Sequence, residues 1–157
     1  MTHPEEKLAE LGLKLPEVAA PVAAYIPVLR SGNLVYTSGQ LPMVDGSLAA
    51  TGKVGDGHGL VPADDAKKLA EICALNAIAA VKSQVGDLDK VTRVVKVVGF
   101  VASDPSFTGQ PGVINGASEL LGKAFGDAGV HARSAVGVAV LPLDAPVEVE
   151  ITVAVRD

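Results

Sequence analysis

The spacing of apolar residues predicts one long amphipathic helix near the middle of the chain. Between Pro62 and Val85 apolar side chains recur every three or four residues, an acidic pair stands near the start, and a glycine follows the end. This period belongs to a helix that buries one face, and acidic residues are favoured in its first turn. Asn76 falls on the apolar stripe, so we expect a buried amide that bonds main-chain groups.

Several shorter segments have the composition of strands. Residues 91–102 are rich in valine and poor in polar side chains, which predicts a central strand. Two apolar runs within residues 23–40 flank a Ser-Gly-Asn turn and predict a β-hairpin. Residues 133–141 and 147–155 are further strands, and the short segment between them predicts a second hairpin.

The remaining segments complete the predicted order of elements. A short helix begins around Pro4 and stops at Gly12. Residues 43–62 form a long loop rich in glycine and proline, with one short strand near residues 49–54. A loop at 103–111 leads into a second long helix that ends near Ala128. No internal repeat interrupts this order, so we divide the chain into an N-terminal helix and lead-in (1–22) and one domain (23–157).

These elements predict an α+β fold with a single domain, in which two helices pack on one face of a mixed β-sheet. The other face of such a sheet needs a cover, and the sequence offers no further helix of sufficient size. Homo-oligomerisation is the economical solution.

Composition narrows the classes of partner. The 157 residues include 13 basic and 18 acidic side chains, a net charge of -5, and only two tyrosines, three phenylalanines and no tryptophan. A negative chain with few aromatic rings is poorly suited to nucleic acid, which needs cationic and stacking surfaces. The single cysteine suits a reducing compartment, and no apolar run could cross a membrane. The prediction is a cytoplasmic protein without membrane contact.

The histidines and glycines do not predict a metal or cofactor site. His3, His58 and His131 stand in three separate segments, without the paired spacing of metal ligands. The glycines at positions 55, 57 and 59 lack the spacing of a dinucleotide-binding turn. We therefore expect neither metal nor cofactor.

The last two strands carry the candidate chemistry. Arg133 stands at the start of a strand of small and apolar residues; it is either a solvated charge or a bidentate clamp for a substrate carboxylate. Glu148 lies on the polar side of a strictly alternating strand, which by itself indicates a solvated face. If these strands form a hairpin, about seven residues of strand put over 20 Å between Arg133 and Glu148. Cooperation on one small ligand would then require two subunits.

Taken together, several stretches resemble the reactive intermediate deaminase A (RidA) family, also called YjgF or L-PSP endoribonuclease, in a longer sub-type. The resemblance spans residues 23–155. The stretches are Tyr25 with the later Gly-Asn-Leu-Val-Tyr-Thr-Ser-Gly-Gln-Leu-Pro, the helix with Asn76, Val-Ile-Asn115-Gly, Ala-Arg133-Ser, and the closing Leu-Pro and Val-Glu148-Val-Glu-Ile.

The resemblance implies a chorismate-mutase-like fold and a homotrimer with a site in each cleft between subunits. The implied activity is hydrolysis of 2-aminoacrylate and related 2-imino acids to 2-keto acids and ammonia. Arg133 would hold the substrate carboxylate and Glu148 would position the attacking water. The residues implied to line the cleft are Tyr25, Ser38, Gly39, Asn115 and Ala135.

One position departs from the family pattern, because Ala135 stands where many members have cysteine; alanine serves only if that position acts through its main chain. Two other functions stay open. The same cleft could bind small carboxylates or 2-keto acids without turnover. A ribonuclease is suggested only by the older family name, and the net charge counts against it.

Overall fold

The computed structural model describes residues 3–21 and 23–157, and within them the chain forms three α-helices and seven β-strands. The helices are α1 (Pro4–Glu10), α2 (Ala63–Val85) and α3 (Gln110–Phe125). The strands are β1 (Val28–Ser31), β2 (Leu34–Thr37), β3 (Met43–Val44), β4 (Ser47–Leu48), β5 (Val91–Ala102), β6 (Ala132–Val138) and β7 (Val147–Val155). Single 3-10 turns cover Leu88–Lys90, Gly126–Gly129 and Pro142–Asp144.

Five of the strands form one mixed sheet in the order β1-β2-β7-β5-β6. The β5–β6 pair is parallel, with α3 as the connection between the two strands, and the other three pairs are antiparallel. Strands β3 and β4 form a separate two-stranded hairpin. The predicted α+β fold with a mixed sheet is therefore confirmed.

Alternation along the central strands decides which face the helices cover. In β7 every odd-numbered residue from Val147 to Val155 is buried, and the even-numbered residues are half-exposed. Val97 and Val101 of β5 are buried on the same side. Apolar residues of α2 and α3 complete this core, so both long helices lie on one face of the sheet, as predicted. Across the described ranges, no helix combines the length and apolarity needed to span a bilayer.

The predicted second hairpin is wrong, because β5 lies between β6 and β7. The first strand of the predicted hairpin, β6, also ends at Val138 and not at residue 141 as predicted. Residues 139–146 then pass over the end of β5 before β7 begins. Eight residues are more than a tight hairpin turn uses, and the main-chain groups of β5 pair with both β6 and β7.

The other boundaries agree with the sequence to different degrees. The first hairpin, the long helix and the central strand are confirmed as β1–β2, α2 and β5. The strand predicted near residues 49–54 is wrong: the loop instead forms the β3–β4 hairpin, and only Val54 makes isolated bridges, to Val61 and Ser103. The second helix ends at Phe125, slightly earlier than expected, and a 3-10 turn follows.

The N-terminal helix docks on α3 and on the 3-10 turn that follows α2. Leu8 is buried in the main core, and Lys82 of α2 pairs with Glu5 at 3.1 Å. Nε2 of His3 lies 2.9 Å and 3.2 Å from carboxylate oxygens of Asp87 and Asp89. The division of the chain at residue 23 stays a prediction.

Asn76 is the buried amide that its place on the helix stripe predicted. Its Nδ2 donates to the carbonyl oxygens of Leu41 and Met43, both at 3.1 Å, and thereby fixes the chain just after the Gly39 region to α2. The side chain is 2% exposed. Truncating it would leave two carbonyls without this donor.

We expect Asn76→Ala to lower the free energy of unfolding by about 2 kcal/mol, because buried carbonyl groups lose their partner. Urea unfolding at one fixed protein concentration measures the loss. Gln84→Ala, on the exposed side of the same helix, is the matched control and should change stability by less than about 0.5 kcal/mol. Equal effects of the two substitutions would contradict the structural role of Asn76.

Candidate functional site

Arg133 lies on the helix-covered side of the sheet, at the start of the edge strand β6. It is aligned with the buried Val97 of β5, and residues paired across strands project to the same face. Its half-buried guanidinium meets the first half of α3. Nη1 donates to Oδ1 of Asn115 at 2.8 Å and to Oγ of Ser118 at 3.3 Å, and Nη2 donates to the carbonyl oxygen of Pro111 at 3.3 Å.

The guanidinium keeps donors for a ligand. Of its five N–H groups, the two on Nη1 and one on Nη2 have acceptors, which leaves Nε–H and one hydrogen of Nη2. Within residues 3–21 and 23–157, Arg133 pairs with no aspartate or glutamate, whereas Arg30 is 3.0 Å from Asp157. The charge of Arg133 is thus oriented by neutral groups and not neutralised by an acid.

Glu148 lies on the opposite face of the sheet from Arg133. It is aligned with Phe100 of β5, between the buried residues Val147 and Val149. Its carboxylate rests on Gly39, where a Cβ atom would overlap Oε1 of Glu148. Partial burial, and secondarily the nearby charge of Glu150, raise the pKa of the Glu148 carboxyl above its ordinary value. A raised pKa makes this carboxylate a better proton acceptor.

Two more of the predicted site residues, Ser38 and Tyr25, lie close to Gly39. Ser38 follows β2 and donates from Oγ to the carbonyl oxygen of Ile26 at 2.6 Å, which holds the two chain segments together. Tyr25 and Gly39 line a cavity of about 20 Å³, room for about one water molecule. Tyr25, Ser38, Gly39 and Glu148 are called the glutamate cluster below.

The other three predicted residues lie around the guanidinium. Asn115 of α3 contacts it directly, and Ala135 follows Arg133 on the same face of β6, with its methyl group against the core. Because the carbonyl of Val138 points toward β5 and bonds Ser103, the main-chain groups of Ala135 point to the outer edge of the sheet. Arg133, Asn115 and Ala135 are called the arginine cluster.

The two clusters do not meet within one chain. Two strand spacings of about 4.8 Å and three residues of about 3.3 Å separate the Cα atoms of Arg133 and Glu148, which gives about 14 Å. The side chains also project from opposite faces. The hairpin geometry behind the predicted 20 Å is wrong, but one chain still cannot place both groups on one small molecule.

Two residues near Arg133 were not among the predicted site residues. Ser118 lies one turn after Asn115 on α3, and His131 lies two residues before Arg133. Oγ of Ser118 is 2.9 Å from Nε2 of His131, and Nδ1 of His131 is 2.6 Å from the carbonyl oxygen of Gly129. The helical spacing from Asn115 and the strand alternation from Arg133 were the available signals.

A group of one histidine and two aspartates could be considered for a metal ion. Ligand atoms of His3, Asp87 and Asp89 lie within 4.8 Å of one another. However, Nδ1 of His3 accepts the N–H of Glu5 at 3.3 Å, so the ring proton is on Nε2 and points to the carboxylates. A metal on Nε2 would move that proton to Nδ1, against the donor of Glu5. These residues form a hydrogen-bonded N-terminal cap that does not suit a metal.

The only thiol within the described ranges is shielded from ligands. Cys73 is fully buried in α2, and burial together with the charge of Glu148 raises the pKa of its thiol. A thiol of this kind stays protonated and packs as a small apolar side chain.

The mixed sheet with both long helices on one face places the chain among the α+β proteins. Residues 5–154 match the model of the family described as "YjgF/chorismate_mutase-like, putative endoribonuclease". The chain belongs to this family, which confirms the resemblance read from its sequence.

Similar proteins occur in bacteria and in a protozoan. Protein TCP17 of Trypanosoma cruzi is 45% identical over 147 residues, or 93% of this chain and 90% of that protein. The crystal structure of Atu1372, a protein of unknown function from Agrobacterium tumefaciens, has a TM-score of 0.89 to this chain. The two sequences are 49% identical, and the match covers 98% of this chain and 92% of Atu1372. A protein from Shewanella oneidensis MR-1 is 32% identical over 98% and 100% of the two chains, with a TM-score of 0.94.

The raised pKa of Glu148 predicts the effect of Glu148→Gln on stability. A carboxyl whose pKa is higher in the folded state than in the unfolded state disfavours folding above that pKa, and the disadvantage fades as the pH falls through it. Glu148→Gln should therefore stabilise the protein at pH 7, by less than about 1 kcal/mol because solvent screens the half-exposed group.

Urea unfolding at several pH values measures this difference. The advantage of Glu148→Gln should disappear below the ordinary pKa of glutamate, where the carboxyl is neutral in both states. A glutamine variant that is less stable at pH 7 would contradict the assignment of a destabilising, partly buried charge.

Proposed function

We propose that this protein hydrolyses 2-imino acids and their enamine tautomers, such as 2-aminoacrylate, to 2-keto acids and ammonia. Arg133 binds the substrate carboxylate, and Glu148 accepts a proton from the attacking water. Asn115 and the main chain of Ala135 line the arginine side of the site; Tyr25, Ser38 and Gly39 line the other side. The residues present suit this chemistry without a metal or a cofactor, because the imine carbon is already electrophilic.

The observation that carries the proposal is the guanidinium of Arg133. It is held by three neutral acceptors, pairs with no carboxylate in the described part of the chain, and has two N–H groups left over. An oriented positive charge with free donors is the group that binds a carboxylate in bidentate fashion. A ligand anion would complete the pairing that the chain itself does not provide.

The proposed reaction begins with a protonated 2-imino acid, whose carboxylate is bound by Arg133. The oxygen of water attacks C2, Glu148 takes one proton of that water, and the electron pair of the C=N bond moves to nitrogen. Glu148 then returns the proton to the nitrogen of the resulting carbinolamine. As the C–N bond breaks, the C2 hydroxyl becomes the keto oxygen, its proton passes to solvent, and ammonia leaves.

We infer that each site forms between two subunits of a homotrimer, with one subunit's arginine cluster facing its neighbour's glutamate cluster. The opposite projection of Arg133 and Glu148 supports this, since a single chain cannot join them. The face of the sheet without helices also carries exposed apolar side chains on three strands, Leu29, Tyr36 and Val136. Covering these groups with another copy removes apolar surface from water.

Two alternative functions, binding without turnover and RNA cleavage, are distinguished from deamination by the experiments below. A protein that binds 2-keto acids through Arg133 without turnover would share the arginine cluster but need no proton acceptor. A ribonuclease would act on a polyanion, which a net charge of -5 repels. Neither His131 nor Ser118 is free to act on RNA, because each is bonded to the other and to protein groups. The cytoplasmic location likewise stays a proposal.

Arg133→Ala should reduce turnover at least about a hundredfold, because the substrate loses its charge-assisted hydrogen bonds. An amino acid oxidase generates the imino acid from several amino acids in turn, and semicarbazide traps what the purified protein has not consumed. Arg30→Ala is the matched control, since it removes an arginine that Asp157 already neutralises. It should keep wild-type activity.

Three results would separate the alternatives. Faster loss of imine by wild type and Arg30→Ala, but not by Arg133→Ala, supports deamination. Binding of 2-ketobutyrate that depends on Arg133, without turnover of any imine, supports a binding protein. RNA cleavage that Arg133→Ala removes would support the ribonuclease and contradict the proposal.

Mixing Arg133→Ala with Glu148→Gln, each of which should lack turnover because it removes one of the two proposed catalytic groups, tests the shared site. Trimers assembled from equal amounts of Arg133→Ala and Glu148→Gln contain interfaces where an intact arginine from one chain faces an intact glutamate from the other. Random assembly makes these about a quarter of all sites, so about a quarter of wild-type activity should return. Light scattering checks the trimer, and each variant alone is the control. No recovery from mixed trimers would contradict a site in which Arg133 and Glu148 of two subunits act together.

A further inference from the structure

We propose that Ser118 and His131 are positioning residues that hold the guanidinium of Arg133 with its free edge toward the ligand. This assignment rests on the proposed function of Arg133 as a carboxylate clamp, and names the groups that set its geometry. Neither residue touches the ligand in this proposal. They act through Arg133 alone.

The donors and acceptors in the chain of hydrogen bonds from Gly129 through His131 and Ser118 to Arg133 can be assigned by starting at the carbonyl of Gly129. The carbonyl oxygen of Gly129 can only accept, so Nδ1 of His131 carries the proton across the 2.6 Å contact. In the neutral ring, Nε2 is then an acceptor. The hydroxyl of Ser118, 2.9 Å away, donates to it.

The hydroxyl proton of Ser118 is thereby directed away from Arg133. The lone pairs of Oγ face the guanidinium and accept a hydrogen from Nη1 at 3.3 Å. Without the histidine acceptor, the hydroxyl could rotate and present its proton to a positively charged group. His131 thus decides which side of Ser118 meets Arg133.

Asn115 completes the arrangement on the same nitrogen. Its Oδ1 takes the other hydrogen of Nη1 at 2.8 Å, so both hydrogens of Nη1 are committed to α3. The end of the guanidinium that bears Nη1 is held against the protein. Nε–H and one hydrogen of Nη2 remain on the part that can turn toward a carboxylate.

The arrangement joins three elements that the sheet brings together. Ser118 is on α3, Arg133 is on β6, and His131 lies just before that strand, in the segment that follows the Gly126–Gly129 turn. Gly129 is buried with its Cα against the main chain of α3, where a Cβ atom would collide with the carbonyl of Leu121. The carbonyl that fixes His131 is therefore itself held in place.

Steady-state kinetics with Ser118→Ala tests the proposal. Losing a hydrogen bond that orients a charged group should raise KM for the imino acid about tenfold, with kcat changed less than about twofold, because Glu148 is untouched. Ser118→Thr keeps the hydroxyl and should restore KM. Ser83→Ala, which removes a helix serine bonded to its own helix, is the control.

His131→Leu should give the same rise in KM as Ser118→Ala, and the double variant should add little, since both changes remove one chain of hydrogen bonds. Independent, additive effects of the two substitutions would overturn the coupling. So would a Ser118→Ala variant with wild-type KM.

A measurement without substrate separates this proposal from the function on which it rests. Nitrogen NMR of Arg133 follows rotation about the Cζ–Nε bond, which should be slow in wild type and at least about tenfold faster in Ser118→Ala and His131→Leu. Slow rotation that depends on Ser118, in a protein with no imine turnover, would uphold the positioning role and reject deamination. Unchanged rotation together with unchanged KM would reject the positioning role alone.

Discussion

The packing of α2 and α3 against the same face of the sheet determines where the polar groups of this protein can stand. It commits every second residue of β7, and of β5 from Val97 to Val101, to the core and turns the residues between them to the opposite face. Arg133 projects toward the helices and is received by α3, while Glu148 projects away from them and rests on Gly39. The same constraint that builds the core therefore divides the candidate chemistry between two surfaces.

Both polar clusters contain a charge that the chain leaves unbalanced. Among the described residues Arg133 has neutral acceptors and no acidic partner, and Glu148 has a partly desolvated carboxyl with another glutamate nearby. The partly buried charge of Glu148 costs stability above its pKa, and each group is suited to a partner of opposite charge or to a proton. In the arginine cluster, the neutral groups orient the charge without cancelling it. An arginine held in this way can still bind an anion, whereas an arginine in a structural ion pair is already neutralised by its partner.

The sequence was informative where one segment determined its own structure. The valine run of β5, the amphipathic period of α2 and the place of Asn76 on its stripe each follow from local pattern, and all are confirmed. The order of strands was harder, because pairing depends on which neighbours bury a strand and not on the strand itself. Two consecutive strand patterns joined by a short segment with prolines suggested a hairpin, and nothing in that local pattern indicated that β5 lies between β6 and β7.

The candidate site shows the same limit. Arg133, Asn115, Glu148 and Gly39 could be named from the sequence by resemblance, but their division between two faces required the register of β5 with both neighbours. Ser118 and His131 are ordinary residues in ordinary contexts, and each gains its role only from a hydrogen bond to the other. Such roles can be recognised only from the interatomic distances in the folded protein, because neither the residue type nor the spacing along the chain implies them.

The place of β7 in the sheet has a consequence for biosynthesis. It follows the other strands in chain order yet lies between β2 and β5, so a ribosome makes both flanking strands before it makes the one that joins them. Until then the nascent chain holds two separate pieces of sheet, each with an unpaired edge that would be internal in the finished protein. Such edges pair readily with other chains. Synthesis and release of β7 thus set the moment at which the chain stops being prone to aggregate and its core can close.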